Sequence, residues 1–201
     1  MVGETASLAR EHDLALAQRA ADGDRTAQRE VFAGQRLGVH HTLFRVLGSN
    51  RELEDLVQDT FVEVFRSLGS FRGDSTLARW CQTIATRIAY LAISRRKPAT
   101  VELDEAADIG NGDPDVHRVA QLREAARRLY AMLDRLDARQ RIAFALAVVD
   151  GRTLQEVAAL TESTLVAVKT RVWRARRELV RRAKRDPVLA SYLAELQGGE
   201  R

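Results

Sequence analysis

The stretch TLQEVAALTESTLVAVKTRVWRARRELVRRAK, residues 153–184, decides the fold. Thr153 and Glu156 stand at capping-box spacing, so the short run to Leu160 opens as a helix. Thr161 to Thr164 is too short and polar to be anything but a turn. From Leu165 to about Lys184 the chain reads as one long helix. On a wheel, Leu165, Val168, Val172, Ala175 and Leu179 fall on one face and can pack on Leu154, Val157 and Ala158. Val166, Thr170, Trp173, Arg174 and Arg177 fall on the opposite face, with Lys169 and Arg171 on its flanks. A short helix, a tight turn and a longer basic helix make a helix-turn-helix. One anchored face and one basic face suit entry into the major groove, where base edges are read and arginines hold phosphates. A helical hairpin with a solvated basic surface would give the same wheel.

Charge is distributed unevenly around this motif. Between Leu165 and Arg185 there are nine Lys/Arg and one acid, Glu178. Between Ala99 and His117 there are six acids (Glu102, Asp104, Glu105, Asp108, Asp113, Asp115) and no Lys or Arg. The net charge of +4 over 201 residues is modest, so it is this segregation that points to different partners for different segments.

Working toward the N-terminus, the acidic stretch carries Gly110, Gly112 and Pro114 with no sustained period, and reads as a flexible linker over 98–117. Beyond it, Val119, Leu122, Leu129, Leu133 and Leu136 mark one helix of a second block, 118–185. Ala138 to Val149 marks another, stopped by Asp150 and Gly151. Before the linker lies a first block, 13–97. Gly23 and the run Gly48-Ser49-Asn50 are its helix breaks. Leu53, Leu56, Val57, Phe61, Val64, Phe65 and Leu68 recur at three- and four-residue steps, a strongly amphipathic helix. Gly69 to Ser75 is a polar loop. Leu77, Trp80, Cys81, Ile84, Ile88 and Leu91 give a second apolar stripe that runs into Arg95, Arg96 and Lys97 and ends at Pro98. Residues 1–12 and 186–201 are read as tails. The expected fold is all-α: two small helical domains joined by a flexible acidic linker, the second a helix-turn-helix domain.

Asp134-Arg135-Leu136-Asp137-Ala138-Arg139-Gln140-Arg141, Gly151-Arg152-Thr153-Leu154-Gln155-Glu156-Val157-Ala158 and Val168-Lys169-Thr170-Arg171-Val172-Trp173-Arg174-Ala175-Arg176 together resemble region four of bacterial RNA polymerase sigma factors of the extracytoplasmic-function type. Glu54-Asp55-Leu56-Val57-Gln58-Asp59-Thr60-Phe61 resembles the segment of region two that docks on the polymerase clamp. Phe71-Arg72-Gly73-Asp74-Ser75 with Leu77-Ala78-Arg79-Trp80 resembles the loop and helix that capture an unstacked base of the minus-ten element. The resemblance spans roughly residues 13 to 184. It implies a factor that binds core RNA polymerase at clamp and flap, melts promoter DNA and directs initiation. It also implies an anti-sigma partner, a monomeric free state and no cofactor; with one cysteine and no signal peptide, a reduced, cytoplasmic setting follows by default.

The resemblance assigns residues as follows. Thr164, Val166, Lys169, Thr170, Arg171, Trp173, Arg174 and Arg177 would contact the minus-thirty-five element. Arg72, Gly73, Asp74, Ser75, Arg79, Thr83 and Arg87 would serve the minus-ten element, since melting requires a pocket for a flipped base and cations along the separated strand. Asp55, Gln58, Asp59 and Val62 would bind core polymerase, an acidic face with an apolar centre suiting a basic partner helix. The chain departs from the family pattern in four places. Thr161-Glu162-Ser163 replaces apolar-Gly-apolar in the turn, Trp173 replaces a smaller polar residue, Arg87 a frequent Asn, and Leu91 a frequent Asp. Trp173 is read either as stacking on the sugar-phosphate edge or as packing on its neighbours, and Trp80 as core before base stacking. The linker carboxylates either mimic nucleic-acid charge or simply tether.

Other classes fit less well. One cysteine, Cys81, cannot form an internal disulfide, and no Cys/His cluster has metal-ligand spacing. His12, His40, His41 and His117 have no catalytic partner at useful spacing, and no phosphate-binding glycine loop appears. Neither a catalytic site nor a metal site is expected, and no apolar run approaches the ~20 residues that span a bilayer. The rival readings are a stand-alone helix-turn-helix regulator with a helical sensor or dimerisation domain, and a helical adaptor that binds protein only.

Overall fold

The computed structural model describes residues 2–48, 52–95 and 114–186, with side chains from residue 8 in the first stretch and from residue 122 in the third. Among the described residues every regular element is helical: α1 (Val2–Ala21), α2 (Arg25–Leu47), α3 (Leu53–Ser67), α4 (Leu77–Arg95), α5 (Pro114–Leu133), α6 (Ala138–Phe144), α7 (Leu154–Leu160) and α8 (Leu165–Ala183). A single 3-10 turn, Leu68–Ser70, follows α3, and a π-helical turn, Ala145–Val149, prolongs α6. The all-helical expectation holds.

The helix ends follow local chemistry. Asp24 caps α2, accepting from the backbone N–H of Thr26 at 2.8 Å and of Ala27 at 3.2 Å. Asp137 caps α6 in the same way, and Thr153 and Glu156 form the expected capping box on α7. Two boundaries differ from the sequence reading. The segment 1–12, expected as a tail, is helical from Val2 onward; its Ala, Leu, Glu and Arg residues favour helix, while its apolar spacing is too weak to announce one. α5 begins at Pro114 rather than near Arg118, inside the stretch expected as linker, because proline is tolerated at the first helical position, where no intrahelical N–H is required. The side chains of Asp115 and His117, and Arg96, Lys97, Glu102, Asp104, Glu105, Asp108 and Asp113 altogether, lie outside what is described.

In the first block, α2 packs against α1, α3 and α4. Its buried stripe is Val31, Val39, Leu43 and Val46, which meets Val57, Phe61 and Val64 of α3 and Leu77, Cys81, Ile84 and Ala85 of α4. In the second block, α6 and α7 pack on α8. The two blocks do not remain apart. Ala138, Ile142, Ala143, Leu146, Val157, Leu160 and Val168 belong to the same continuous core as α2 and α4.

Polar contacts seal that junction. Arg141 of α6 is only 1% exposed and donates through Nε to the carbonyl of Val46 at 3.0 Å and through Nη2 to that of Leu47 at 3.1 Å, while also pairing with Asp134. Those carbonyls end α2 and have no helical partner of their own. Tyr130 donates its hydroxyl to the carbonyl of Arg45 at 2.9 Å, and its ring lies where a Cβ on Gly48 would approach within 2.8 Å. Gly48 also has φ +75, so both the turn and the close approach require glycine here. Asp150, its side chain 4% exposed, pairs with Arg152 at 2.5 Å and lies 3.7 Å from both His41 and Arg45 of α2.

Replacing Arg141 by Ala strands these carbonyls and the Asp134 carboxylate. The expected cost is about 3 kcal/mol, read as a lower urea midpoint at unchanged helical content. An unchanged midpoint would show that the buried guanidinium is not what joins α6 to α2.

Candidate nucleic-acid interface

The helix-turn-helix forms as its sequence specifies. Thr164 caps α8, accepting from Ala167 N–H at 3.2 Å. Val168, Ala175, Leu179 and Ala183 are buried, so the opposite face looks outward. There Val166 is 72% and Trp173 58% exposed, beside exposed Lys169, Arg174 and Arg177. Trp173 therefore does not pack into the core; the Arg177 guanidinium lies 5.4 Å from its ring centroid. Glu178, the single acid of this segment, is committed to Arg181 and Arg182, whose hydrogen bonds hold its carboxyl at about 2, so it stays ionised at any ordinary pH. Two assigned residues are less free. Thr170 donates back to the Val166 carbonyl at 2.9 Å, and half-buried Arg171 donates to Ser163 Oγ at 2.7 Å, bracing the turn.

The second group sits at the start of α4. Arg72 and Asp74 are exposed, Gly73 has φ +75, and Ser75 is half-buried. Asp13, from α1, accepts the N–H of Leu77 at 2.8 Å, and Thr76 accepts that of Arg79 at 3.2 Å, so two side chains fix this helix end. Arg79 and Arg87 project outward, and Thr83 Oγ1 donates to the Arg79 carbonyl at 3.0 Å. Phe71 is buried with its ring centroid 5.5 Å from that of half-buried Trp80, so Trp80 braces the loop from the core. A cleft of about 390 Å³ opens between this loop and α7, lined by Asp74, Ser75, Arg79 and Gln82 and also by Arg10 and Arg152, which the sequence reading did not single out.

The third group is on α3. Asp55, Gln58 and Asp59 are exposed and Val62 is 55% exposed. The structure adds neighbours from α2: Phe32, whose ring centroid lies 4.6 Å from that of Phe61, and Arg36, 3.3 Å from Glu54. With Asp55, Gln58 and Val62 they line one shallow groove. Phe32 lies off the buried stripe of α2, and it was missed because α2 was read only for its breaks.

Groups one and two are brought together; group three faces another part of the surface. Arg87 donates to both carboxylate oxygens of Glu162 in the helix-turn-helix turn, through Nε at 2.9 Å. Arg152 donates to Gln82 Oε1 at 3.0 Å.

Residues 35–98 match the family model for Sigma-70 region 2, and residues 126–179 the model for Sigma-70, region 4. Together these take in more than half of the chain. The chain belongs to the RNA polymerase sigma factors, of the extracytoplasmic-function type. The ECF RNA polymerase sigma-E factors of Escherichia coli (strain K12) and Salmonella typhi are each 28% identical to it over 175 residues, covering 82% of this chain and 90% of theirs. The RNA polymerase sigma-H factor of Pseudomonas aeruginosa is 27% identical over 178 residues, covering 84% and 92%. Among solved structures, CnrH in complex with the cytosolic domain of CnrY aligns with a TM-score of 0.59 at 23% identity, over 87% of this chain and 98% of that one. The sigma factor RpoE in complex with the anti-sigma factor NepR from Bartonella quintana aligns with a TM-score of 0.50 at 22% identity, over 79% and 97%. These likenesses support the fold. A stand-alone regulator, the first rival, leaves the region 2 match unexplained. Among the described residues no helix is long and apolar enough to cross a membrane.

Cys81 is fully buried, and desolvation, helped by the Asp13 carboxylate, pushes its thiol up to about 12. The folded protein is expected to leave a thiol reagent unconsumed at pH 8, and the unfolded chain to titrate one thiol. Reaction in the folded state would contradict the burial of this thiol.

Proposed function

We propose that this sigma factor docks on core polymerase through α3, opens the minus-ten element with the 71–76 loop and α4, and holds the minus-thirty-five element with α8. Asp55, Gln58, Asp59 and Val62 form the docking face, joined by Phe32 and Arg36; carboxylates around an apolar centre favour a basic partner helix and set its register. Arg72 and Arg79 neutralise the separated strand, while Gly73, Asp74, Ser75 and Thr83 form the polar pocket for an extruded base, with Trp80 holding the loop from behind. Arg87 is the third cation of this set. Thr164, Val166, Lys169 and Thr170, near the start of α8, stand where groove-entering residues read base edges, and Arg174 and Arg177 where phosphates pass. Arg171 acts at one remove, by fixing the turn.

The observation that carries this reading is the pairing, in one chain, of an outward basic recognition helix with a capped loop-and-helix of exposed arginines and a separate acidic groove. A protein-only adaptor needs none of the cations. No step calls for covalent chemistry, so the protein works by binding energy alone, without metal or cofactor, in the cytoplasm where polymerase is. An anti-sigma factor would be a natural antagonist, one of the aligned structures being a sigma factor in complex with an anti-sigma factor.

Run-off transcription with purified core polymerase and genomic promoter fragments tests this. Specific initiation is expected, and Lys169→Ala or Arg174→Ala should lower promoter occupancy, each reducing the salt slope by about 1 if it removes one phosphate contact, while core binding stays intact. Asp59→Lys should do the reverse, weakening core binding. Absence of both initiation and core binding would sink the assignment; loss of core binding in the α8 variants would mean the faces are exchanged.

A further inference from the structure

Glu162 is the sole non-glycine with a positive φ among the described residues, at +48. An L residue in this left-handed conformation is strained, and glycine would be free of it. The turn nevertheless presents Glu162, and its carboxylate spans to α4, where both oxygens accept from Arg87. Two further contacts cross the same seam: Arg152 to Gln82 at 3.0 Å, and the Arg139 guanidinium 5.7 Å from the Tyr90 ring centroid. Between them lies a groove of about 520 Å³ bordered by Arg87, Tyr90, Leu91, Ile142, Glu162 and Arg171.

We propose that Glu162 is an internal competitor of DNA: it occupies Arg87 in place of a strand phosphate and so clasps the helix-turn-helix turn to α4 when no promoter is engaged. This rests on the assignment of Arg87 to the minus-ten strand. The geometry fits an exchangeable clasp rather than a structural joint. The Arg87 and Glu162 side chains are 60% and 54% exposed, so water and salt screen the pair and another anion can reach the same guanidinium. Arg141, by contrast, is sealed from solvent. The carboxylate presents two oxygens to the guanidinium fork, the arrangement a phosphate would reproduce. While clasped, Arg87 is unavailable, and the apparent affinity for a strand falls by the fraction of molecules in which it is free.

The test uses the full chain and a labelled dT12 oligonucleotide, with binding followed by fluorescence anisotropy. Glu162→Gln, which keeps the side chain's size but not its charge, should bind dT12 more tightly, and adding Arg87→Gln should cancel that gain by removing the guanidinium for which the two anions compete. Glu162→Gly, which removes both carboxylate and strain, should keep the fold and bind a labelled dT12 oligonucleotide up to about fivefold more tightly, the span of an exposed ion pair. Unchanged dT12 affinity in Glu162→Gln, or a gain that persists when Arg87 is also Gln, would overturn the clasp. So would unchanged dT12 affinity in Glu162→Gly, provided the parent chain binds the oligonucleotide. No oligonucleotide binding in any form, or none lost in Arg87→Gln, would overturn instead the assignment of Arg87 to DNA on which the competition rests.

Discussion

Arg141 carries a full charge into a site from which water is almost wholly excluded. Burying a guanidinium is unfavourable unless its donors are met, and here they are met by the last carbonyls of α2 and by Asp134. The C-terminal end of a helix carries partial negative charge, so those carbonyls suit a cation better than they suit an apolar neighbour. The consequence is geometric. α6 must sit against the end of α2, Tyr130 then closes over Gly48, and Asp150 meets His41, Arg45 and Arg152. The helix-turn-helix is held beside α4 because the helix before it is pinned.

Around that joint the contacts fall into two strengths. The core shared by Ile142, Leu146, Val157, Leu160 and the α2–α4 side chains is dry and extensive. The contacts at its edge, Arg87 with Glu162 above all, are wet and weak. Such an ordering lets the outer seam exchange partners without dissolving the body of the protein. It also places Arg87, proposed above as a DNA contact, beside a carboxylate that can hold it in reserve. The α3 groove proposed for polymerase takes no part in the junction, so the surfaces proposed for docking and for DNA are separate.

Much of this was legible in the amino-acid order, and the remainder was not for identifiable reasons. The period of α3, the capping box at Thr153 and the outward basic row of α8 are local signals, spaced within a few turns, and each appears where it was expected. Trp80, on the apolar stripe, packs half-buried against the core as its position on the helix wheel implies. Arg141 was visible only as one letter of a motif, because nothing local distinguishes a buried arginine from a solvated one; its partners are in another helix far away in sequence. The same holds for Glu162 and Arg87. Phe32 was passed over because it lies off the buried stripe of α2, where an apolar residue announces a surface only once its neighbours from α3 are known. The early start of α1 and the proline start of α5 were lost to weak periodicity and to a linker-like composition.

The most direct test of this account is whether the two units unfold as one. Trp80 reports on the first and Trp173 on the second, so Trp173→Phe and Trp80→Phe each leave one reporter. If the units share a core fastened by Arg141, the two variants will show coincident urea transitions once each is referred to the same backbone signal by circular dichroism. Two separate transitions, with one tryptophan changing environment well before the other, would contradict it.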